Sequence, residues 1–279
     1  MKVLFALLAI SALLFTSCQA ELDPSIITNP SGQDSLLKSV TSTKDTTTDK
    51  LVFEYNSAKQ LTGYTLTFTT PSEIENYDFK LTRNGSGIVT RMVVFADFPL
   101  DLDSAVSIPN YDNVIGRYKT LVTTSYYPNR ISRDSVNYIY DAQGRLIETV
   151  TYADNSLTTG YEQDQREQYE YAGATLIKWK SYSFIVGNFN PSPIPDVITF
   201  EYDNKINPFR LADRDAYLLG VTTFYPANNR TKAVSVDSDP FSSDNYTEVT
   251  SHIYNAGNKP IRSTTTGNGS PEIITYTYQ

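Results

Sequence analysis

From Leu51 onward, apolar and polar residues alternate almost one for one. Leu51, Phe53 and Tyr55 form one such row and Tyr64, Leu66 and Phe68 a second, with Thr at many of the positions between. The same period recurs at Tyr118, Thr120, Val122 and Thr124, at Val136, Tyr138 and Tyr140, and at Leu146, Glu148, Val150 and Tyr152. It returns at Ile198, Phe200 and Tyr202 and at Ile274, Tyr276 and Tyr278. Successive side chains of an extended strand point to opposite faces, so this period predicts antiparallel strands with one buried face. Glu148 breaks its row, which predicts a wet face there. Polar clusters such as Asn84-Gly85-Ser86-Gly87, Asp141-Ala142-Gln143-Gly144 and Asn255-Ala256-Gly257-Asn258 separate the runs, and each offers a residue that tolerates positive φ or closes an Asx turn. The expected fold class is all-β: a single long antiparallel meander of hairpins, strongly curved or barrel-like. At most one short helix is expected, near 208–219, where Leu211, Asp215 and Leu218 fall at helical spacing between Pro208 and Gly220.

Ahead of this pattern lie two segments of different character. Met1 and Lys2 precede an apolar run from Val3 to Phe15, 13 residues long and short of the roughly 20 that a spanning helix needs. Residues 1–17 therefore read as an export signal. Phe15-Thr16-Ser17-Cys18 resembles the lipobox of bacterial lipoproteins, with Phe15 in place of the usual Leu; the resemblance implies cleavage before Cys18 and a lipid on its thiol. Glu21 and Asp23 are similar to the acidic tag of Bacteroidetes surface lipoproteins. The membrane is thus an expected partner through Cys18, with the protein on the periplasmic or cell-surface face of the outer membrane. Residues 18–50, with Pro24, Pro30 and a Ser/Thr/Lys/Asp run from Ser39, read as a flexible tether, because they offer little apolar surface to offset the entropy of ordering. Residues 51–279 are expected to form one antiparallel β domain.

A sequence template recurs along that domain: aromatic, any residue, Tyr, Asp or Asn, a turn, a basic residue, then an apolar one. Tyr138-Ile139-Tyr140-Asp141-Ala142-Gln143-Gly144-Arg145-Leu146 is the cleanest copy, with others around Tyr55-Asn56, Tyr202-Asp203 and Tyr254-Asn255. Tyr140, Tyr171 and Tyr202 follow at intervals of 31 residues, but the next interval is longer. The template resembles the Tyr-Asp repeat of Rhs-type shell proteins and, more closely, of Bacteroidetes lipoproteins of a family of unknown function. What that resemblance implies is one large antiparallel sheet, strongly curved or closed like a porin barrel. Tyr140, Asp141, Gly144, Tyr202, Asp203, Tyr254 and Asn255 are expected to be structural, the Tyr rings packing on the next hairpin while the Asx side chains bond the turn backbone.

Composition removes much chemistry. One Cys and one His leave no disulfide framework, no Cys/His zinc site and only His252 to serve a Ser-His-Asp triad. His252 reads as a packed strand residue beside Tyr254. A formal charge of −8 argues against a nucleic-acid surface. No phosphate-binding loop, dinucleotide fingerprint or GxSxG elbow is present, and neither a cofactor nor a metal is expected. Oxygen-rich loops around Asp97, Asp101 and Asp103, and around Asp237, Asp239 and Asp244, lack EF-hand spacing. Three Asp-Ser sites, at Ser35, Ser104 and Ser135, resemble O-glycosylation acceptors of exported Bacteroidetes proteins.

The remaining material suits binding. With 21 Tyr, 13 Phe and Trp179 the chain can present rings to a glycan or a protein partner. Trp179 is a candidate platform, although a lone strand Trp is more often core. The proline-rich 188–195 segment is the candidate recognition loop, with Phe189 and Asn190 as its candidate residues. The sequence thus predicts a lipid-anchored cell-envelope binding or structural module rather than an enzyme. A secreted carbohydrate-active enzyme is the alternative, since Glu148, Glu162, Glu167, Glu170, Glu201 and Glu248 offer carboxylate pairs that nothing in the sequence selects among. A membrane-spanning barrel is a further alternative, against which stands a mean hydropathy of −0.34.

Overall fold

The computed structural model describes residues 36–97, 102–155, 160–173, 175–183, 194–209, 218, 228–237, 245–267 and 269–279. They form sixteen strands: β1 (Leu37–Lys44), β2 (Thr47–Tyr55), β3 (Leu61–Thr69), β4 (Ile74–Arg83), β5 (Val89–Ala96), β6 (Ser104–Asp112), β7 (Arg117–Tyr127) and β8 (Arg130–Tyr140). The second half comprises β9 (Leu146–Asn155), β10 (Gly160–Ala172), β11 (Thr175–Ser183), β12 (Asp196–Ile206), β13 (Asn228–Val236), β14 (Tyr246–Tyr254), β15 (Pro260–Thr266) and β16 (Glu272–Tyr278). Every strand pairs antiparallel with its sequence neighbours, and β1 pairs with β16, so the meander closes into a barrel. Reciprocal backbone bonds between Leu36 and Gln279, at 2.9 and 3.0 Å, complete the seam. Among the described residues there is no helix. Of the segment expected to be helical, Pro208 and Phe209 form a turn and Leu218 is fully buried, while the rest of 208–219 lies outside the described residues.

The folded domain begins earlier than the alternation of large apolar residues suggests. β1 and the first half of β2 lie inside the 18–50 segment expected to be a tether. Their inward positions are small or polar, Ser42 and Asp49 among them, so the burial signal is weak although Leu37, Val40 and Ser42 are all buried. Pairing to β16 on one side and β3 on the other holds this stretch in place.

One device repeats around the barrel. In the hairpins β2–β3, β4–β5, β6–β7, β8–β9, β10–β11, β12–β13 and β14–β15 the register shifts beside the last Tyr or Arg of the first strand, as an extra residue enters the returning strand. The same shift occurs where β16 meets β1. Seven tyrosines and one arginine occupy this position: Tyr55, Arg83, Tyr111, Tyr140, Tyr171, Tyr202, Tyr254 and Tyr278. Opposite them stand Leu61, Val89, Tyr118, Leu146, Leu176, Arg230, Pro260 and Leu37, all buried. Each bulge switches the face of the strand that follows it. Tyr118 and Val122 therefore do not share a face, Tyr118 being fully buried and Val122 exposed. In the same way Leu146 points inward while Glu148, on the row predicted for it, points outward.

Aspartate and asparagine side chains close these turns. Asp141 Oδ1 accepts the backbone N–H groups of Gln143 and Arg145, both at 2.9 Å, and Asn255 Oδ1 accepts those of Gly257 and Lys259 at 2.9 and 3.1 Å. Asn56, Asn84 and Asp112 act alike in their own turns. Gly144, at φ 77°, takes the left-handed position that the turn requires. In the long β12–β13 connection Asp203 Oδ1 accepts from Lys205 and from Asn229 across the loop. We call this end the turn rim. Both ends of the folded chain, Leu36 and Gln279, also lie there.

Candidate functional site

The register sorts the strand residues into an outer and an inner face, and their polarity is opposite to that of a lipid-embedded barrel. Outward strand positions carry ion pairs: Asp78 with Lys80, Glu148 with Arg166, Glu170 with Lys178 and Lys180, and Glu201 with Lys232. Thr65, Thr67, Thr264, Thr275 and Thr277 fill much of the remainder. Exposed apolar side chains are interspersed on this face, Phe95, Ile108 and Val122 on β5–β7 and Ile139, Val236, Val249 and Ile253 on β8, β13 and β14. No helix among the described residues is long and apolar enough to cross a membrane, which leaves the strands themselves to be judged by this outer face.

Inside, the lumen is graded. Near the turn rim it is sealed by the bulge residues and by stacked rings, with Tyr64 and Phe79 at 4.2 Å between centroids and Tyr111 edge-on to Tyr118 at 5.0 Å. Toward the opposite rim the inward positions turn to acids and hydroxyls: Asp49, Glu75, Asp134, Glu167, Asp196, Glu248 and Glu272, with Ser42, Ser125 and Ser181. The barrel is therefore a cup with an aromatic floor and an acidic mouth.

Burial acts on these acids. Glu167, against Thr149, Tyr169 and Trp179, is pushed up to about 7 by desolvation, although the Tyr169 and Thr149 hydroxyls donate to it at 2.6 and 2.9 Å. Desolvation, helped by Glu272, raises Asp49 to about 6. Asp134 rises to about 6 through burial and the neighbouring Asp164 and Asp154.

At the level where floor meets mouth, the β12–β13 connection enters the lumen. Asn207 and Phe209 are buried there, and Phe209 meets Tyr276 edge-on at 6.0 Å. Together with Val40, Leu51 and Ile274 they border a cavity of about 60 Å³ that also touches Asp49, Arg230, Glu248, His252 and Glu272. Arg230 is 6% exposed; its Nη2 donates to Glu248 Oε2 at 3.1 Å, and its carbonyl faces His252 Nε2 at 2.8 Å. His252 Nδ1 lies 2.7 Å from Ser263 Oγ, and its ring is 5.8 Å from that of Tyr254.

Trp179 stands on the inner wall opposite Tyr169, partly buried against the core, with Lys178 and Lys180 on the outer face. Tyr140 and Tyr171 donate to main-chain carbonyls of the neighbouring hairpin, Tyr202 packs beside Phe200, and the Tyr254 hydroxyl donates to Asp203. Cys18, Phe189 and Asn190 lie outside the described residues. Of the six glutamates offered for catalysis, Glu148, Glu170 and Glu201 are tied up in outer ion pairs, which leaves Glu162, Glu167 and Glu248 on inward positions. No group of three or more metal-ligating side chains occurs among the described residues. The sequence pattern alone does not bring Asp49, Arg230 and Glu272 together. The signal of the cavity set is a charge in phase with an apolar row, as Asp49 is with Leu51 and Phe53.

The architecture is that of a porin-like barrel. A porin-like protein from Bacteroides uniformis matches with a TM-score of 0.56 and 12% identity over 88% of this chain and 98% of its own. A porin-like protein from Bacteroides vulgatus matches with a TM-score of 0.41 and 14% identity over 88% and 99%. No family model matches the chain, and no curated protein does.

Proposed function

We propose that the protein is a lipid-anchored binding module of the bacterial envelope whose barrel stands outside the bilayer. The observation that carries this reading is the polarity of the two faces. A spanning barrel surrounds itself with an apolar band, and a Lys or Arg at mid-height of that band costs about 2–4 kcal/mol. Here β4, β10, β11, β12 and β13 each place a charged side chain near mid-strand on the outer face, while the core rings, Tyr64, Phe79, Tyr138, Tyr169 and Phe200 among them, point inward.

The anchor and the cup then have a defined relation. Leu36 lies on the turn rim, so the connection from a lipid on Cys18 enters the barrel at its sealed end, opposite the acidic mouth. The 18 residue steps from Cys18 to Leu36 reach at most about 60 Å when fully extended. The fold of the Bacteroides uniformis protein agrees with an envelope setting for this shape of barrel.

Fractionation tests the reading. With a non-lipid secretory leader in place of residues 1–18, the protein should leave the cells in the soluble fraction without detergent, whereas the parent form stays with the membranes. A variant that still requires detergent, or that forms conducting pores in planar bilayers, would overturn the proposal.

A further inference from the structure

We infer that the lumen holds a binding site for a small carboxylate, anchored by Arg230. Three observations meet there. First, Arg230 is buried with only part of its donor set used: Nη2 reaches Glu248, while Nε and Nη1 have no hydrogen-bond partner among the described residues. Buried donors are normally satisfied, and leaving one unpaired costs about 1–3 kcal/mol. Second, the guanidinium borders a real space. About 60 Å³, against roughly 10–15 Å³ for one water, holds a ligand of about four to six non-hydrogen atoms. Third, the wall is two-sided, with Val40, Leu51, Phe209 and Ile274 offering apolar contact and Arg230 the polar end.

The chemistry of the missing partner follows from the donors. A carboxylate fits one edge of the guanidinium, taking Nε or Nη1 together with the second hydrogen of Nη2, whose first goes to Glu248, and a charge-assisted pair is about twice as strong as a neutral one. The neighbouring acids oppose an anion, and burial moderates this: it raises Asp49 to about 6 and raises Glu272 above its ordinary carboxylate value, so the charge they set against a carboxylate weakens as the pH is lowered. Glu248 is the acid that competes directly for the guanidinium, and it occupies one nitrogen only.

The inference deepens the binding-module reading, but the two fail separately: fractionation reports on the outer face, and ligand titration reports on the cavity wherever the barrel resides. The test uses the mature lipidated protein in detergent, titrated calorimetrically with acetate, propionate, lactate and alanine and with acetamide and propionamide. One saturable site for at least one of the acids is expected, with the matching amide weaker by about tenfold or more. Glu248→Gln should tighten that binding, because it removes the competing charge, and Arg230→Met should abolish it. Should Arg230→Met fail to fold, Glu248→Gln alone carries the test, since it moves affinity in the direction opposite to damage. Saturable binding of none of the acids, amide binding equal to acid binding, or weaker binding by Glu248→Gln would each overturn the inference.

Discussion

The hydroxyl of Tyr140 donates to the main-chain carbonyl of Tyr118, 2.9 Å away, across the boundary between two hairpins. Tyr55 does the same to Leu37, Tyr171 to Leu146 and Tyr278 to Pro260, at 3.0, 2.7 and 2.7 Å, and Arg83 takes the role toward Leu61. In each pair the accepting residue is the buried one beside a bulge, where the ladder has lost its regular partner. The tyrosine thus restores a bond that the bulge removes, and it ties each hairpin to the one before. Tyr140→Phe, Tyr171→Phe and Tyr278→Phe should each lower stability by about 1 kcal/mol. Urea denaturation checks this, with Tyr126→Phe, on the exposed outer face, as the unaffected control.

Left-handed residues sit at corresponding places in several turns of the turn rim: Gly87, Gly116 and Gly144, but Lys59 between β2 and β3 and Asn258 between β14 and β15. Gly144→Ala should therefore destabilise by about 1 kcal/mol, and Lys59→Gly should stabilise by up to about 1 kcal/mol despite the added freedom of the unfolded chain. Thermal melting of the two variants should show shifts of opposite sign.

Gly63 has a different constraint. A Cβ built there would lie 2.5 Å from the carbonyl oxygen of Phe79 on β4, a backbone atom that cannot turn aside. Gly63→Ala should push β3 and β4 apart and cost about 1–3 kcal/mol. Faster amide exchange along the β3–β4 pairing, compared with β8–β9, would locate the damage.

Stability should depend on pH through the lumen acids. Glu167 binds its proton more tightly in the folded barrel, near pH 7, than at its ordinary value of 4.5. Its contribution is then fully present below about pH 4.5 and is lost as the pH rises through 7, and for this fully buried group it is of order 3 kcal/mol. Asp49 and Asp134, raised to about 6 but partly exposed, add smaller effects of the same sign. The urea midpoint should fall between pH 5 and pH 8. Glu167→Gln should flatten that fall and exceed the parent protein in stability at pH 8; a midpoint that instead rises with pH would refute the assignment.

Much of the barrel is legible in the chain, and the exceptions have identifiable causes. Rows such as Leu51, Phe53 and Tyr55 mark the inner face because rings pack there. The row from Leu146 to Tyr152 misleads because the extra residue Ile147 reverses the alternation, which no periodicity count registers. β1 escapes notice because its inward side chains near the mouth are Val40 and Ser42 rather than large rings. Asp141 and Asn255 announce their turns through local chemistry, since the groups they bond are two and four residues away. Asp49, Arg230 and Glu272 are far apart in sequence and meet only because the sheet closes on itself.

That closure sets a condition on assembly. A chain made from its N-terminus carries β1 as an unpaired edge until β16, the last strand, arrives to cover it. The seam is the pairing of greatest sequence separation in the barrel, so it bears the largest loop-closure cost and should form late. A product that stops before Glu272 would expose both β1 and β15 as open strand edges and invite pairing between chains. The seven-residue β16 thereby decides closure: only a chain that includes it can join β1 to β15 and close the sheet.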